Sequence, residues 1–147
     1  MPGLAIALDL DGVLADTRAL WDAWLEDAAR RARVELDVPA DREAAVAVLD
    51  EALGDWRPLL TRFAADRAPL WIRPRPDTNA ALRRLAAAGA RIGVFSDAPR
   101  ELAELALAHA GATRQVEVVG TLAEVVAALG GGAVVVVRSR EELAGLR

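Results

Sequence analysis

The chain has 147 residues, a formal net charge of −4, 54% hydrophobic residues, one His and no Cys. That length suits one compact domain with room for a small insertion, and the absent Cys excludes disulfides, thiol nucleophiles and thiolate zinc sites. All 18 basic residues are Arg, His109 is the single His, and Ser96 and Ser139 are the only Ser, so Lys Schiff bases, multi-histidine metal sites and a Ser-His-Asp triad lack material.

The mildly acidic balance gives no basic face for nucleic acid. No apolar run approaches the roughly 20 residues needed to cross a bilayer. Met1 to Ile6 lacks a basic region followed by a long apolar one, so no signal peptide is expected and a cytoplasmic location is.

Leu4 to Leu10 is a short apolar run ended by Asp-Gly and reads as a buried strand. From Thr17, residues Leu20, Trp21, Trp24, Leu25, Ala28 and Ala32 recur at three- and four-residue steps, which predicts an amphipathic helix. A second helix is predicted over about Asp41 to Leu53, stopping at Gly54, and a third over about Arg57 to Asp66. Pro69, Pro74 and Pro76 then predict an extended connection. Trp21, Trp24, Trp56, Trp71 and Phe63 all fall in or beside this helical stretch, where they serve its core or line a pocket.

After Pro76 strand and helix signals alternate. Asp77 can cap a helix carrying Leu82 and Leu85 that ends at Gly89; Ile92 to Phe95 reads as a strand; Pro99 opens a helix ending near Gly111, with His109 on its apolar face. Val116 to Val119 is a strand, Thr121 and Glu124 have capping-box spacing, and Gly130 to Gly132 closes that helix. Ala133 to Val137 is the most apolar strand, followed by a short helix over Glu141 to Leu146. This order implies an α/β fold with a parallel sheet and right-handed crossovers, the first of which holds the helical insertion.

Ligands of open parallel sheets bind beyond the carboxyl ends of the strands. The first strand ends in Asp9-Leu10-Asp11-Gly12, the second in Phe95-Ser96-Asp97, the last in Val137-Arg138-Ser139-Arg140-Glu141-Glu142. Two carboxylates two residues apart need a cation or a shared proton, and Gly12 lets the backbone turn sharply after them. A magnesium ion with substrate phosphate would serve; a loop of solvated acids is the plainer reading, and a calcium loop lacks its third acid and its glutamate.

The stretches IALDLDGVLADT (Ile6 to Thr17) and VFSDAP (Val94 to Pro99), with a helical insertion between them, resemble the haloacid dehalogenase-like superfamily of aspartate-nucleophile phosphatases. The resemblance implies a Rossmann-like three-layer α/β/α core over residues 1–15 and 72–147 and a helical cap over 16–71. It implies a phosphatase of a small phosphorylated metabolite. Asp9 would attack phosphorus to form an aspartyl-phosphate, and Asp11 would protonate the leaving oxygen and then activate water. Ser96, with Asp97 beside it, would bind phosphate; as a turn or cap residue Ser96 needs no such role. Magnesium would be held by Asp9, the Asp11 backbone carbonyl and a third group. A receiver domain, the other parallel-sheet fold with an acidic pocket, has no place for the long insertion.

Three departures from the family pattern stand out. Members usually add another strand, so the resemblance implies a short sheet here, about four strands, with an edge exposed or covered by a partner chain such as a second copy. The usual Lys beside the nucleophile is absent, leaving Arg114 and Arg100 as candidates for its charge. The last motif, which usually supplies a metal-binding Asp after the final apolar strand, aligns with Arg138, and its second acid aligns with Glu142. A guanidinium cannot ligate a cation, and Glu142 also stands at capping-box spacing from Ser139. Either Arg138 takes over part of the metal's charge role while an acid such as Glu142 reaches a weakly held ion, or the site is degenerate and binds a phosphorylated ligand or partner.

Overall fold

In the computed structural model, which describes residues 3–130 and 132–146, four parallel strands form one sheet in the order β3-β2-β1-β4. The strands are β1 (Ala5–Asp9), β2 (Arg91–Phe95), β3 (Val118–Gly120) and β4 (Val134–Val137). β1 is central, with Asp9 level with Phe95 and Leu8 level with Val137. That register brings the residues following each strand to one end of the sheet, which is how Asp9, Ser96 and Arg138 become neighbours.

Alternation along β1 decides the layers. Ile6 and Leu8 face the larger core, built with Leu82 and Leu85 of α4 (Pro76–Ala87), Leu102 and Leu107 of α5 (Arg100–His109) and Leu143 of α7 (Arg140–Ala144). Ala7 faces the other way, with Phe95 and with Val125 of α6 (Leu122–Ala128). Gly93, the β2 residue level with Ala7, leaves room for this packing, since a Cβ there would meet Val125 and Val118 at 2.5 and 2.7 Å.

Between β1 and α4 the chain inserts α1 (Arg18–Ala32), α2 (Arg42–Leu53) and α3 (Arg57–Trp71). Trp21, Trp24 and Trp56 pack in a row with rings tilted by 41° and 42° and centroids 5.4 and 5.5 Å apart, and Trp56 Nε1 donates to Asp50 at 2.7 Å. These three are buried and form the core of the insertion, whereas Trp71 is 41% exposed.

Several boundaries differ from the sequence expectation. Leu10 leaves the strand and enters a π-helical turn, Leu10–Leu14. Pro69 lies inside α3 rather than in an extended connection: it falls in the last turn, where the lost hydrogen bond frees only the carbonyl of exposed Ala65, within reach of water. Asp77 does not cap α4, which starts one residue earlier at Pro76; the Asp favours the helix as a first-turn acid instead. The Thr121–Glu124 capping box forms as expected, and His109 is half-buried.

Candidate active site

Asp9 ends β1, and its Oδ1 accepts the Asp11 N–H at 3.2 Å across the π-helical turn. The turn lies flat against the end of β4. A Cβ on Gly12 would sit 2.1 Å from the Arg138 carbonyl oxygen, so glycine is needed there for close approach rather than for a left-handed backbone. The Arg138 guanidinium rests over the Phe95 ring, 5.3 Å from its centroid, and brings Nη1 to 4.0 Å from Asp9 Oδ2. Burial, then repulsion from Asp11, raises the Asp9 pKa above the ordinary carboxylate value; the Asp11 N–H, Arg138 and the Gly12 N–H offset this only in part.

Asp11 points towards the insertion. Its Oδ1 accepts the backbone N–H of Thr17 at 2.7 Å and the Thr17 hydroxyl at 2.5 Å, and its Oδ2 accepts Arg42 Nη2 at 2.5 Å. Arg42 opens α2, yet its side chain has 0% exposure. Besides Asp11 it donates from Nη1 to the Thr17 hydroxyl at 2.7 Å and from Nε to Asp97 Oδ1 at 2.9 Å, with Nη2 also 3.5 Å from the Ser96 hydroxyl. Arg18 adds a longer contact to Asp97 at 3.4 Å. Burial alone would raise the Asp97 pKa, but the hydrogen bonds and charge of Arg42, helped by Arg18, hold it below the usual carboxylate value.

An open cavity of about 390 Å³ lies above these groups, lined by Asp9, Asp11, Ser96, Asp97, Phe95 and Arg138 among others. The Ser96 oxygen accepts the Ala98 N–H at 3.0 Å, so its own proton remains to be donated. Asp97, expected beside phosphate, is instead committed to Arg42 and Arg18. Arg114 lies elsewhere: its one-turn helix, Thr113–Gln115, precedes β3 at the amino ends of the strands, where the side chain is exposed. Arg100 pairs loosely with Glu104 and Glu124, at 3.9 and 4.0 Å. A second cavity, of about 400 Å³ and more apolar, lies among α1, α2 and α3 around Trp24 and Phe63 and includes no strand-end residue.

Glu142 behaves as a cap. Its N–H donates to Ser139 Oγ at 3.1 Å and its carboxylate faces the Ser139 hydroxyl and the Arg138 N–H. Among the described residues no three His, Cys, Asp or Glu side chains gather where they could hold a metal ion. The donor set itself fits a divalent cation poorly. A cation held by Asp9 Oδ2 and the Asp11 backbone carbonyl would stand beside the Arg138 guanidinium and be repelled by it.

A family model described as haloacid dehalogenase-like hydrolase matches residues 4–131. The chain belongs to that family. A solved structure of a candidate beta-phosphoglucomutase from Thermotoga maritima is 16% identical, with TM-score 0.56 over 90% of this chain and 74% of that one. The L-2-haloacid dehalogenase of Xanthobacter autotrophicus with chloropropionic acid covalently bound is 20% identical, with TM-score 0.45 over 83% of this chain and 58% of its own length. A haloacid dehalogenase-like hydrolase from Burkholderia xenovorans LB400 is 17% identical, with TM-score 0.45 over 92% of this chain and 72% of that one. At 16% identity the likeness to the Thermotoga maritima structure is one of fold. No curated protein matches the chain.

Arg42 and Thr17 are the site residues that motif reading missed. No local pattern marks Arg42, which sits after Asp41 in an ordinary helix start. The available signal was arithmetic: a Lys-free chain that gathers Asp9, Asp11 and Asp97 at one sheet end needs an arginine among them.

Proposed function

We propose that this haloacid dehalogenase-like hydrolase cleaves a small phosphomonoester, with Asp9 as nucleophile and arginine in place of much of the charge a metal would supply. The carrying observation is the meeting of Asp9, Ser96 and Arg138 at the rim of one open cavity. Asp9 Oδ2 attacks phosphorus, the bond to the ester oxygen breaks, and the aspartyl-phosphate is then hydrolysed by water, returning Asp9 and inorganic phosphate. Arg138 and the Ser96 hydroxyl stabilise the equatorial oxygens. Asp11, expected to protonate the leaving oxygen, accepts hydrogen bonds at both oxygens from Thr17 and Arg42, so a solvent water supplies that proton instead, and the hydroxide so formed serves the hydrolysis of the aspartyl-phosphate. Residues 16–71 act as a cap over the core of 1–15 and 72–147, a role supported by Arg18 and Arg42 reaching from the insertion to Asp97.

The reading is tested by hydrolysis of an aryl phosphate by the purified chain, with chelator and with magnesium. Turnover that persists in chelator and vanishes in Asp9→Asn supports it; activity undiminished in Asp9→Asn rules it out. A second reading, a phosphate-ester binder without turnover, is favoured by one observation: both Asp11 oxygens are engaged by Thr17 and Arg42, away from a leaving group. Phosphate binding by calorimetry without hydrolysis across a panel of esters would select it.

A further inference from the structure

We infer that Glu43 selects the leaving group, and that the substrate is the phosphate ester of a small amino alcohol whose ammonium the Glu43 carboxylate holds. This rests on Asp9, Ser96 and Arg138 forming the phosphate site proposed above. The cavity of about 390 Å³ over that site does not end there. Glu43, Ser96, Asp97 and Thr121 line it and also line an adjoining cavity, of about 280 Å³, among α2, α5 and α6. A phosphate seated at Asp9 and Arg138 leaves the rest of its ester the space lined by Thr121, Leu122 and Glu43, of a size that suits a small metabolite.

The charged groups around the two cavities answer one another in pairs, with one exception. Asp11 and Asp97 meet the Arg42 guanidinium, Arg18 joins Asp97, and Arg138 stands 4.0 Å from Asp9. Further out, Arg57 pairs with Glu101 at 3.1 Å and Arg100 with Glu124 at 4.0 Å. Among the described residues, the Glu43 carboxylate is the one lining charge with neither an ion pair nor a hydrogen bond. An uncompensated carboxylate in the wall of a site for a phosphate dianion repels the substrate, unless the substrate brings a cation of its own. An ammonium on the leaving group supplies that cation. A carboxylate in the same place would meet Glu43 as a like charge and be rejected.

Glu43 is exposed yet firmly placed. It follows Arg42, whose N–H and guanidinium are fixed to Asp97, and its own N–H donates to Asp41 Oδ1 at 3.3 Å. The start of α2 is thereby anchored to the core beside the cavity. An acid in a first helical turn also favours the helix. That role bears on stability and leaves a ratio between two substrates unmoved.

Three esters matched in size test the inference: 2-aminoethyl, 2-hydroxyethyl and carboxymethyl phosphate. The kcat/KM of the purified chain is expected to fall in that order, by about fivefold at each step, the upper range for one exposed ion pair. Glu43→Gln should bring the ammonium and hydroxyl esters level, and Glu43→Arg should place carboxymethyl phosphate first. A level or inverted wild-type order overturns the inference without recourse to variants, as does an order that survives both substitutions. Hydrolysis of an aryl phosphate in that case leaves the phosphatase reading standing. If the esters bind without turnover, the same order is expected among their dissociation constants by calorimetry, and equal constants overturn it. A chain that neither hydrolyses nor binds the three esters or the aryl phosphate overturns the phosphate site and this inference together.

Discussion

Arg42 and Asp97 hold each other through backbone and side chain at once: the Arg42 N–H donates to Asp97 Oδ2 at 2.9 Å, and Nε and Nη2 reach Oδ1 at 2.9 and 2.8 Å. One residue begins α2 of the insertion and the other follows β2 of the core, 55 residues apart. The same guanidinium reaches Asp11 after β1, so one buried cation fixes the insertion against the ends of two strands. A buried charge is costly unless every donor is used, and here the planar fork uses its donors on four residues.

Removing that cation leaves two carboxylates facing each other across its space. Arg42→Met should therefore destabilise the fold by about 3–5 kcal/mol, the range for breaking one side of a buried ion pair. Arg42→Lys should recover only part of this, because an ammonium cannot reach Asp11, Thr17 and Asp97 in one plane. Urea unfolding of the three proteins measures both; a Met variant as stable as the wild type would show that the network contributes nothing net.

The same contact makes stability depend on pH. Asp97 has a pKa below its unfolded value, so the folded chain holds its charged form and the unfolded chain binds the proton first. Its contribution is then complete above the ordinary Asp pKa of about 3.9 and is lost as pH falls through the lower folded value. Asp97→Asn should be less stable than wild type at pH 7, with the difference narrowing in acid. Thermal melts across that interval check the sign.

Much of this architecture could be read from the sequence because its signals are local. β1, β2, the valine strand and the Thr121 cap each declare themselves within a few residues, and Asp9, Asp11 and Ser96 follow from strand ends. What could not be read depends on long-range contact. The burial of Arg42 is settled by Asp11 and Asp97, far away in the chain, and Pro69 stays helical because α3 packs on α1 and α5 strongly enough to override a broken hydrogen bond. Arg114 and Glu142 were plausible by charge alone, yet one lies at the wrong end of its strand and the other satisfies its own helix start.

Gly12 offers a steric test of how closely the Leu10–Leu14 turn must lie against β4. In Gly12→Ala the new methyl would overlap a backbone carbonyl, that of Arg138, which cannot rotate aside as a side chain could. The strain should cost about 1–3 kcal/mol, as for other overpacked positions, and should displace Arg138 from Asp9. Chemical denaturation gives the first quantity and phosphate affinity reads the second. An alanine variant with wild-type stability and affinity would mean the turn shifts freely.

The pair Asp9 and Arg138 sets the acid limb of the proposed activity. A nucleophilic carboxylate must be ionised, and the Asp9 pKa is raised by burial and by Asp11, so the rate should climb with pH through a midpoint above the ordinary carboxylate range of about 3.9. Arg138 is one of the influences holding that pKa down. Arg138→Ala should move the midpoint to higher pH and weaken phosphate binding, whereas Arg138→Asp should move it further and make turnover respond to magnesium, since a second carboxylate then joins Asp9 where the guanidinium stood. Rate profiles on an aryl phosphate, with and without the metal, distinguish the three proteins. An acid limb that stays in place through both substitutions would separate Arg138 from the nucleophile and assign its guanidinium to the Phe95 face alone.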